Sequence, residues 1–185
     1  MIIDSHCHLT YEPMSLSLTE TINRAKTNGV EYLLTISTED KSYRNILNIL
    51  EKYDCVYGTY GIHPHEAKLH KHIKSDEIIK NLNKNNKIIG VGETGLDFYY
   101  NHSEKSDQIS CFQEHIDASI KTNLPLIIHT RSAEKETLEI LKKNVKRNNL
   151  KILIHCFTGS KQFAKNLIDL GAFISASGVV TFKNS

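Results

Sequence analysis

The sequence lacks the features that mark exported and membrane-spanning proteins. It has no apolar run near the ~20 residues that a membrane helix needs, and it does not begin with a basic segment followed by an apolar one. Its four cysteines form no C-x-x-C pair, so we expect reduced thiols and a cytoplasmic protein that does not engage a membrane. A strong excess of one charge is also absent, and the formal net charge of +2 neither requires nor excludes a nucleic-acid partner.

Short apolar runs alternate with longer amphipathic stretches along the whole chain. The runs, which we predict to be strands, are Met1–His6, Tyr32–Ser37, Cys55–Tyr60, Lys87–Gly92, Leu124–His129, Lys151–His155 and Ala172–Ser175. Helical spacing of apolar residues predicts helices at Leu18–Thr27, Glu104–Thr122 (with Ser103 as N-cap), Ala133–Val145 and Lys161–Leu170. This alternation is typical of parallel βαβ units, and it predicts one α/β domain over residues 1–185.

Residues that can bind a metal ion follow several of these strands. His6 and His8 are two apart on an extended segment, so both imidazoles can reach one ion. Glu93 ends the fourth strand beside glycine, and a carboxylate has two oxygens with which to bridge two cations. His129 and His155 end the next two strands. Each residue alone has a structural explanation, but the five together predict a metal site that suits Zn²⁺, Mn²⁺, Fe²⁺, Ni²⁺ or, less readily, Mg²⁺.

The same five positions distinguish between an open doubly wound sheet and a closed barrel. An open sheet brings together only the strands at its switch point, whereas a barrel gathers residues from the carboxyl ends of several strands. Ligands on the first, fourth, fifth and sixth strands favour the barrel. A full barrel takes about 250 residues. We therefore predict a TIM (β/α)8-type barrel that is incomplete here, with about seven of its eight strands present.

Five segments of the chain resemble the motifs of the TatD-like metal-dependent hydrolases. They are DSHCHL (Asp4–Leu9), GIHPH (Gly61–His65), GETGLDFYY (Gly92–Tyr100), IHTR (Ile128–Arg131) and HCFTG (His155–Gly159). The resemblance implies a TIM barrel with two divalent ions (Mg²⁺, Zn²⁺, Mn²⁺ or Ni²⁺) and a deoxyribonuclease activity. It assigns His6 and His8 to the first ion and His129 and His155 to the second, with Glu93 bridging the two.

The resemblance also indicates which residues meet the substrate, DNA or a smaller phosphoester. It implies that His63 contacts substrate or phosphate, and we predict a catalytic role for His63 beside Glu93. Arg131 presents a fork of donors that can engage a phosphate oxygen, although a salt bridge at the start of a helix explains it equally well. No obligate protein partner is indicated.

One departure from the family pattern concerns an aspartate that the family places after its eighth strand. It has no counterpart here, so we expect the chain to lack the eighth strand and the last helices, and to expose an open edge through which it can self-associate. Two alternative functions stay open. One is an amidohydrolase acting on a small amide or nucleobase, although many of those barrels bridge their metals with a lysine where this chain has Glu93. The other is a remnant without turnover.

Other histidines and a basic cluster have structural explanations. His70, His72, His102 and His115 are predicted to be structural or solvated. Lys142, Lys143, Lys146 and Arg147 are predicted to form a solvated surface, because barrel helices lie far from the strand ends that form the active site.

Overall fold

Seven parallel strands, hydrogen-bonded in chain order, form a single sheet. The structure is a computed structural model that describes residues 1–145 and 149–183. Its strands are β1 (Ile2–Cys7), β2 (Val30–Thr35), β3 (Val56–Tyr60), β4 (Ile88–Asp97), β5 (Leu126–Arg131), β6 (Ile152–Ile154) and β7 (Phe173–Ile174). The predicted α/β class and all seven predicted strands are confirmed, and the sheet curves as a half-barrel.

In the described part of the chain, six α-helices connect the strands. They are α1 (Leu18–Thr27), α2 (Asp40–Lys52), α3 (Ser75–Leu82), α4 (Lys105–Thr122), α5 (Glu134–Val145) and α6 (Lys161–Asp169), with short 3-10 turns at Met14–Ser17, Pro64–His70 and Gly178–Thr181. The four predicted helices are confirmed to within one residue at each end. Within the described ranges, no helix is long and apolar enough to cross a membrane. Lys146 and Arg147 of the predicted basic cluster lie outside the described residues.

The prediction that β4 stops at Gly92 was wrong, because the strand continues to Asp97. Its second half stays extended since it pairs with β5, from Thr94 opposite Ile128 to Asp97 opposite Arg131. Glu93 therefore lies inside the strand rather than just after it.

The predicted N-cap of α4 was also wrong. Glu104 occupies the N-cap position, and Ser103 is buried. The Ser103 hydroxyl donates to the carbonyl of His65 and accepts from the backbone N–H of Lys68. Ser103 thus fixes the loop after β3 instead of the helix.

The core lies between the sheet and its helices. Buried strand residues such as Val91 and Ile128 pack with helix residues such as Ile46, Phe112 and Leu167. Each such side chain contributes about 1.5–3 kcal/mol when removed from water. The loops at the carboxyl ends of the strands therefore extend from a well-packed sheet.

The two edge strands differ from the rest of the sheet in their pairing. Within the described residues, β1 pairs only with β2 and β7 only with β6. Ile2 and Ile3 on β1 and Phe173 on β7 are exposed. Self-association through this edge stays a prediction.

Candidate metal centre

Glu93 lies at the centre of a cluster of imidazoles at the carboxyl ends of the strands. Its side chain is only 2% exposed. One carboxylate oxygen, Oε2, faces β1, where it lies 3.4 Å from Nε2 of His6 and 3.9 Å from Nε2 of His8. The two imidazoles thus reach the same oxygen, as the H-x-H spacing predicts.

The other carboxylate oxygen of Glu93, Oε1, faces three further histidines. It lies 3.5 Å from Nε2 of His63, 3.2 Å from Nδ1 of His129 and 2.6 Å from Nε2 of His155. The five residues predicted as ligands therefore converge on one point. His63, predicted to contact substrate, lies among them.

The electrostatics of the cluster favour a charged carboxylate, and they shift the imidazoles in different directions. Burial by itself raises the pKa of Glu93, but hydrogen bonds from the surrounding histidines outweigh it and hold the pKa well below its ordinary value. For His129, burial by itself lowers the pKa, but the hydrogen bond to Glu93 outweighs it and the pKa is raised. Burial lowers the pKa of His8 and His155, and lowers that of His63 to about 3. At neutral pH these three rings are therefore uncharged.

Two ring nitrogens of the cluster are buried without a hydrogen-bond partner, Nδ1 of His6 and Nδ1 of His8. Leaving such atoms unpaired costs about 1–3 kcal/mol each, which a bound cation would recover.

Two groups of side chains have donor atoms that all lie within 4.8 Å of one another. They are His6 with His8 and Glu93, and His63 with Glu93 and His129. The donor set is nitrogen and oxygen, which fits a divalent transition-metal ion.

Asp97 also lies in the site, although no role was predicted for it from the sequence. Its carboxylate is 1% exposed, and Oδ2 lies 2.9 Å from Nε2 of His65 and 3.1 Å from Nε2 of His129. Burial raises its pKa, but the hydrogen bond from His65 and the backbone N–H groups of Tyr99 and Tyr100 outweigh it, and the pKa is lowered. Asp97 follows Glu93 by four residues on one strand, so both point to the same side. That spacing could have identified it.

Arg131, predicted to contact phosphate, lies at the end of β5 over two aromatic rings. Its guanidinium carbon is 4.2 Å from the ring centre of Tyr99 and 4.6 Å from that of Tyr100. Among the described residues no carboxylate lies within salt-bridge distance of it, so the salt-bridge explanation does not hold. Phosphate binding by Arg131 stays a prediction.

His115 is structural, as predicted from its position in a helix. The ring is fully buried in α4, where Nδ1 donates to the carbonyl of Cys111 and Nε2 accepts from the backbone N–H of Ile62. His115 thereby holds the residue before His63. His72 and His102 are exposed, and His70 is half-buried.

Two clefts open at the cluster, and His129 and His155 line both. The first, of about 360 Å³, also carries Glu39 and Glu66. The second, of about 350 Å³, carries Arg131. One side of the cluster is thus acidic and the other basic.

Comparisons with known proteins identify the family to which the chain belongs. The family described as TatD related DNase matches residues 3–185. A Buchnera aphidicola protein named Uncharacterized metal-dependent hydrolase BU355 is 37% identical over 100% of this chain and 72% of its own length. Deoxyribonuclease Tat-D of Schizosaccharomyces pombe is 30% identical over 85% of this chain and 54% of its own length. The crystal structure of YJJV, a TatD homologue from Escherichia coli, superposes with a TM-score of 0.86 at 28% identity, covering 100% of this chain and 71% of its own. The chain therefore belongs to the TatD-related DNase family.

Proposed function

We propose that this protein is a divalent-metal-dependent hydrolase that cleaves the phosphodiester bonds of DNA at a two-metal site. The observation that supports this most directly is the division of Glu93 between two sets of histidines. Oε2 faces His6 and His8, while Oε1 faces His129 and His155. A carboxylate shared in this way is suited to bridge two cations. The name of the Schizosaccharomyces pombe relative supports DNA as the substrate.

In this proposal His6 and His8 would hold one ion, His129 and His155 would hold the other, and Glu93 would be shared between them. A pair of divalent ions supplies Lewis-acid activation of water and neutralises charge on the phosphoryl group. The protein contributes orientation. Asp97 fixes the His129 ring from the side opposite Glu93, since it contacts Nε2 while Glu93 contacts Nδ1.

His63 is suited to donate a hydrogen bond to the substrate rather than to bind an ion. Its Nδ1 accepts a hydrogen bond from the backbone N–H of His65 at 3.2 Å. In a neutral imidazole the proton then resides on Nε2. That N–H lies on the side of the ring that faces the cluster, where a phosphoryl oxygen would accept it.

The test begins with chelator-treated protein, to which Mg²⁺, Mn²⁺, Zn²⁺ or Ni²⁺ is returned. Bound metal is counted by mass spectrometry, and hydrolysis is measured with a DNA oligonucleotide, methyl p-nitrophenyl phosphate and a cyclic amide. We expect two ions per chain and metal-dependent cleavage of both phosphodiesters. Cleavage of the amide alone would identify an amidohydrolase. Metal binding without any turnover would contradict the proposal as well.

A further inference from the structure

Two exposed tyrosines and an arginine form a surface beside the metal centre, which we call the rim shelf: Tyr99, Tyr100 and Arg131. Tyr99 is 58% exposed and Tyr100 is 48% exposed, although the backbone N–H group of each is hydrogen-bonded to Asp97. Their rings meet edge to face, with centroids 4.8 Å apart, and Arg131 covers part of both. Single exposed aromatic residues are ordinary. Two adjacent ones held by an arginine are suited to bind a planar, anionic ligand.

The rim shelf is tied to the metal centre through Asp97. Oδ1 of Asp97 accepts hydrogen bonds from the backbone N–H groups of Tyr99, at 3.0 Å, and Tyr100, at 3.1 Å. Its other oxygen contacts His129. Arg131 lies two residues after His129 on β5, so both side chains point to the same side of the sheet. When one unit of an extended ligand is bound at the centre, the adjacent unit would therefore lie at the rim shelf.

The charges around the centre indicate which way a polyanion would extend. Among the described residues, the Arg131 guanidinium has no carboxylate or hydrogen-bond acceptor of its own, so its donors are available to a ligand. Glu39 and Glu66 line the cleft on the other side. Like charge would repel a phosphodiester chain there, whereas Arg131 would attract it.

We propose that the rim shelf binds the nucleotide next to the scissile phosphate, with its base stacked on Tyr99 and its outer phosphate paired with Arg131. This inference rests on the proposed function and specifies where the flanking strand lies. A base has a flat π-face for the tyrosine ring. Arginine presents a fork of donors to the phosphate. The flanking strand extends away from Glu39 and Glu66.

The first test compares Tyr99→Leu with Tyr32→Leu as matched control. Tyr32 is also an exposed tyrosine, 40% exposed, whose ring packs edge to face on Tyr57. We expect Tyr99→Leu to raise KM for a DNA oligonucleotide about tenfold, a typical effect of losing one base stack. Its kcat/KM for methyl p-nitrophenyl phosphate should stay within about twofold of wild type, because that ester has no flanking nucleotide.

An abasic substrate makes this test specific for stacking. Removing the flanking base should raise the KM of the wild-type protein about tenfold but leave the KM of Tyr99→Leu almost unchanged. The reason is that the abasic site and the substitution remove the same interaction, the stacking of the base on Tyr99. Equal abasic effects in the two proteins would overturn the role of Tyr99.

Arg131→Met tests the phosphate contact, with Lys135→Met, an exposed cation on α5, as control. Methionine keeps apolar contact with the rings but removes the charge. The dependence of log KM on log salt should become shallower by roughly 0.7, the value for one phosphate of a single strand. An unchanged slope would contradict the pairing.

Binding of a fluorescent oligonucleotide, measured by anisotropy, separates failure of the shelf from failure of the proposed function. Tight binding that depends on Tyr99 without hydrolysis would support the shelf and refute the nuclease. Hydrolysis that is unaffected in both shelf variants would support the nuclease and refute the shelf. Absence of both binding and hydrolysis would refute both.

Discussion

Asp97 and His129 are joined by a contact of 3.1 Å between Oδ2 and Nε2, on the side of the imidazole away from Glu93. A histidine that binds a metal ion through one nitrogen usually donates its other N–H to a carboxylate or carbonyl group. Asp97 fills that position here. It therefore selects the nitrogen, Nδ1, that His129 presents to the centre.

Replacing Asp97 by Asn should weaken divalent-metal binding about 10- to 100-fold, the usual cost of losing such a partner. The amide keeps the shape of the side chain. However, it cannot accept hydrogen bonds on both sides, from His129 and from the backbone of Tyr99. Calorimetric titration of chelator-treated protein with Mn²⁺ measures the change. Asp169→Asn, an exposed aspartate on α6, is the control. Equal affinities of Asp97→Asn and wild type would mean that Asp97 does not orient the ligand.

Replacing Glu93 by Gln should reduce metal-dependent phosphodiester hydrolysis by more than about 100-fold, beyond the range found for partners of ligands. The substitution preserves volume and removes the charge that both sets of histidines face. Bound metal, counted by mass spectrometry, should fall with activity. Glu77→Gln, on the exposed face of α3, should behave as wild type. Full metal content and activity in Glu93→Gln would exclude a bridging role.

The strands could be predicted from the sequence because each is a compact apolar run, but the length of β4 could not. Its second half, from Glu93 to Asp97, contains two charged residues and a glycine, a composition typical of a turn. Pairing with β5 holds it extended, and that pairing is a long-range contact. Local pattern alone therefore ended the strand too early.

For the same reason, the place of Asp97 in the candidate site could not be predicted from the sequence. The five histidine and glutamate positions follow apolar runs and could be located from the sequence. Asp97 points towards them only because β4 continues to it. The packing of Arg131 over Tyr99 was also missed, since it depends on the path of the loop after β4.

Gly61 provides a prediction about how the centre is supported. A Cβ atom at this position would overlap the Cα of Gly92 and lie 2.8 Å from its nitrogen. Gly61→Ala must therefore push apart β4 and the loop after β3, next to Glu93. We expect a loss of about 1–3 kcal/mol in the free energy of unfolding, as for other overpacked sites, together with weaker Mn²⁺ binding.

Gly178→Ala is the matched control for Gly61→Ala, because a Cβ atom there has nothing within 4 Å. Urea unfolding and Mn²⁺ titration of both variants check the prediction. If the two variants are equally stable and bind Mn²⁺ equally, the close approach of Gly61 to Gly92 does not support the centre.

His115 gives the chain a stability that depends on pH. Burial lowers the pKa of this fully enclosed ring from its ordinary value of 6.5 to about 4. The unfolded chain therefore takes up a proton at a higher pH than the folded one. The buried neutral ring makes its full contribution to the free energy of unfolding above about pH 6.5. This contribution is lost as the pH falls from about 6.5 to about 4, and it declines no further at lower pH.

Replacing His115 by Gln should remove this pH dependence while leaving a side chain that can donate to Cys111 or accept from Ile62. Between about pH 7.5 and about pH 5, the wild-type protein should lose about 2 kcal/mol more free energy of unfolding than the variant, because the unfolded histidine is protonated over that interval and the folded one is not. Urea unfolding at the two pH values measures the difference. The variant is less stable at neutral pH, but only the difference between its two values enters the comparison. If wild type and variant lose equal stability on acidification, the buried ring already accepts a proton in the folded state, and its hydrogen bonds to α4 and Ile62 cannot be those described.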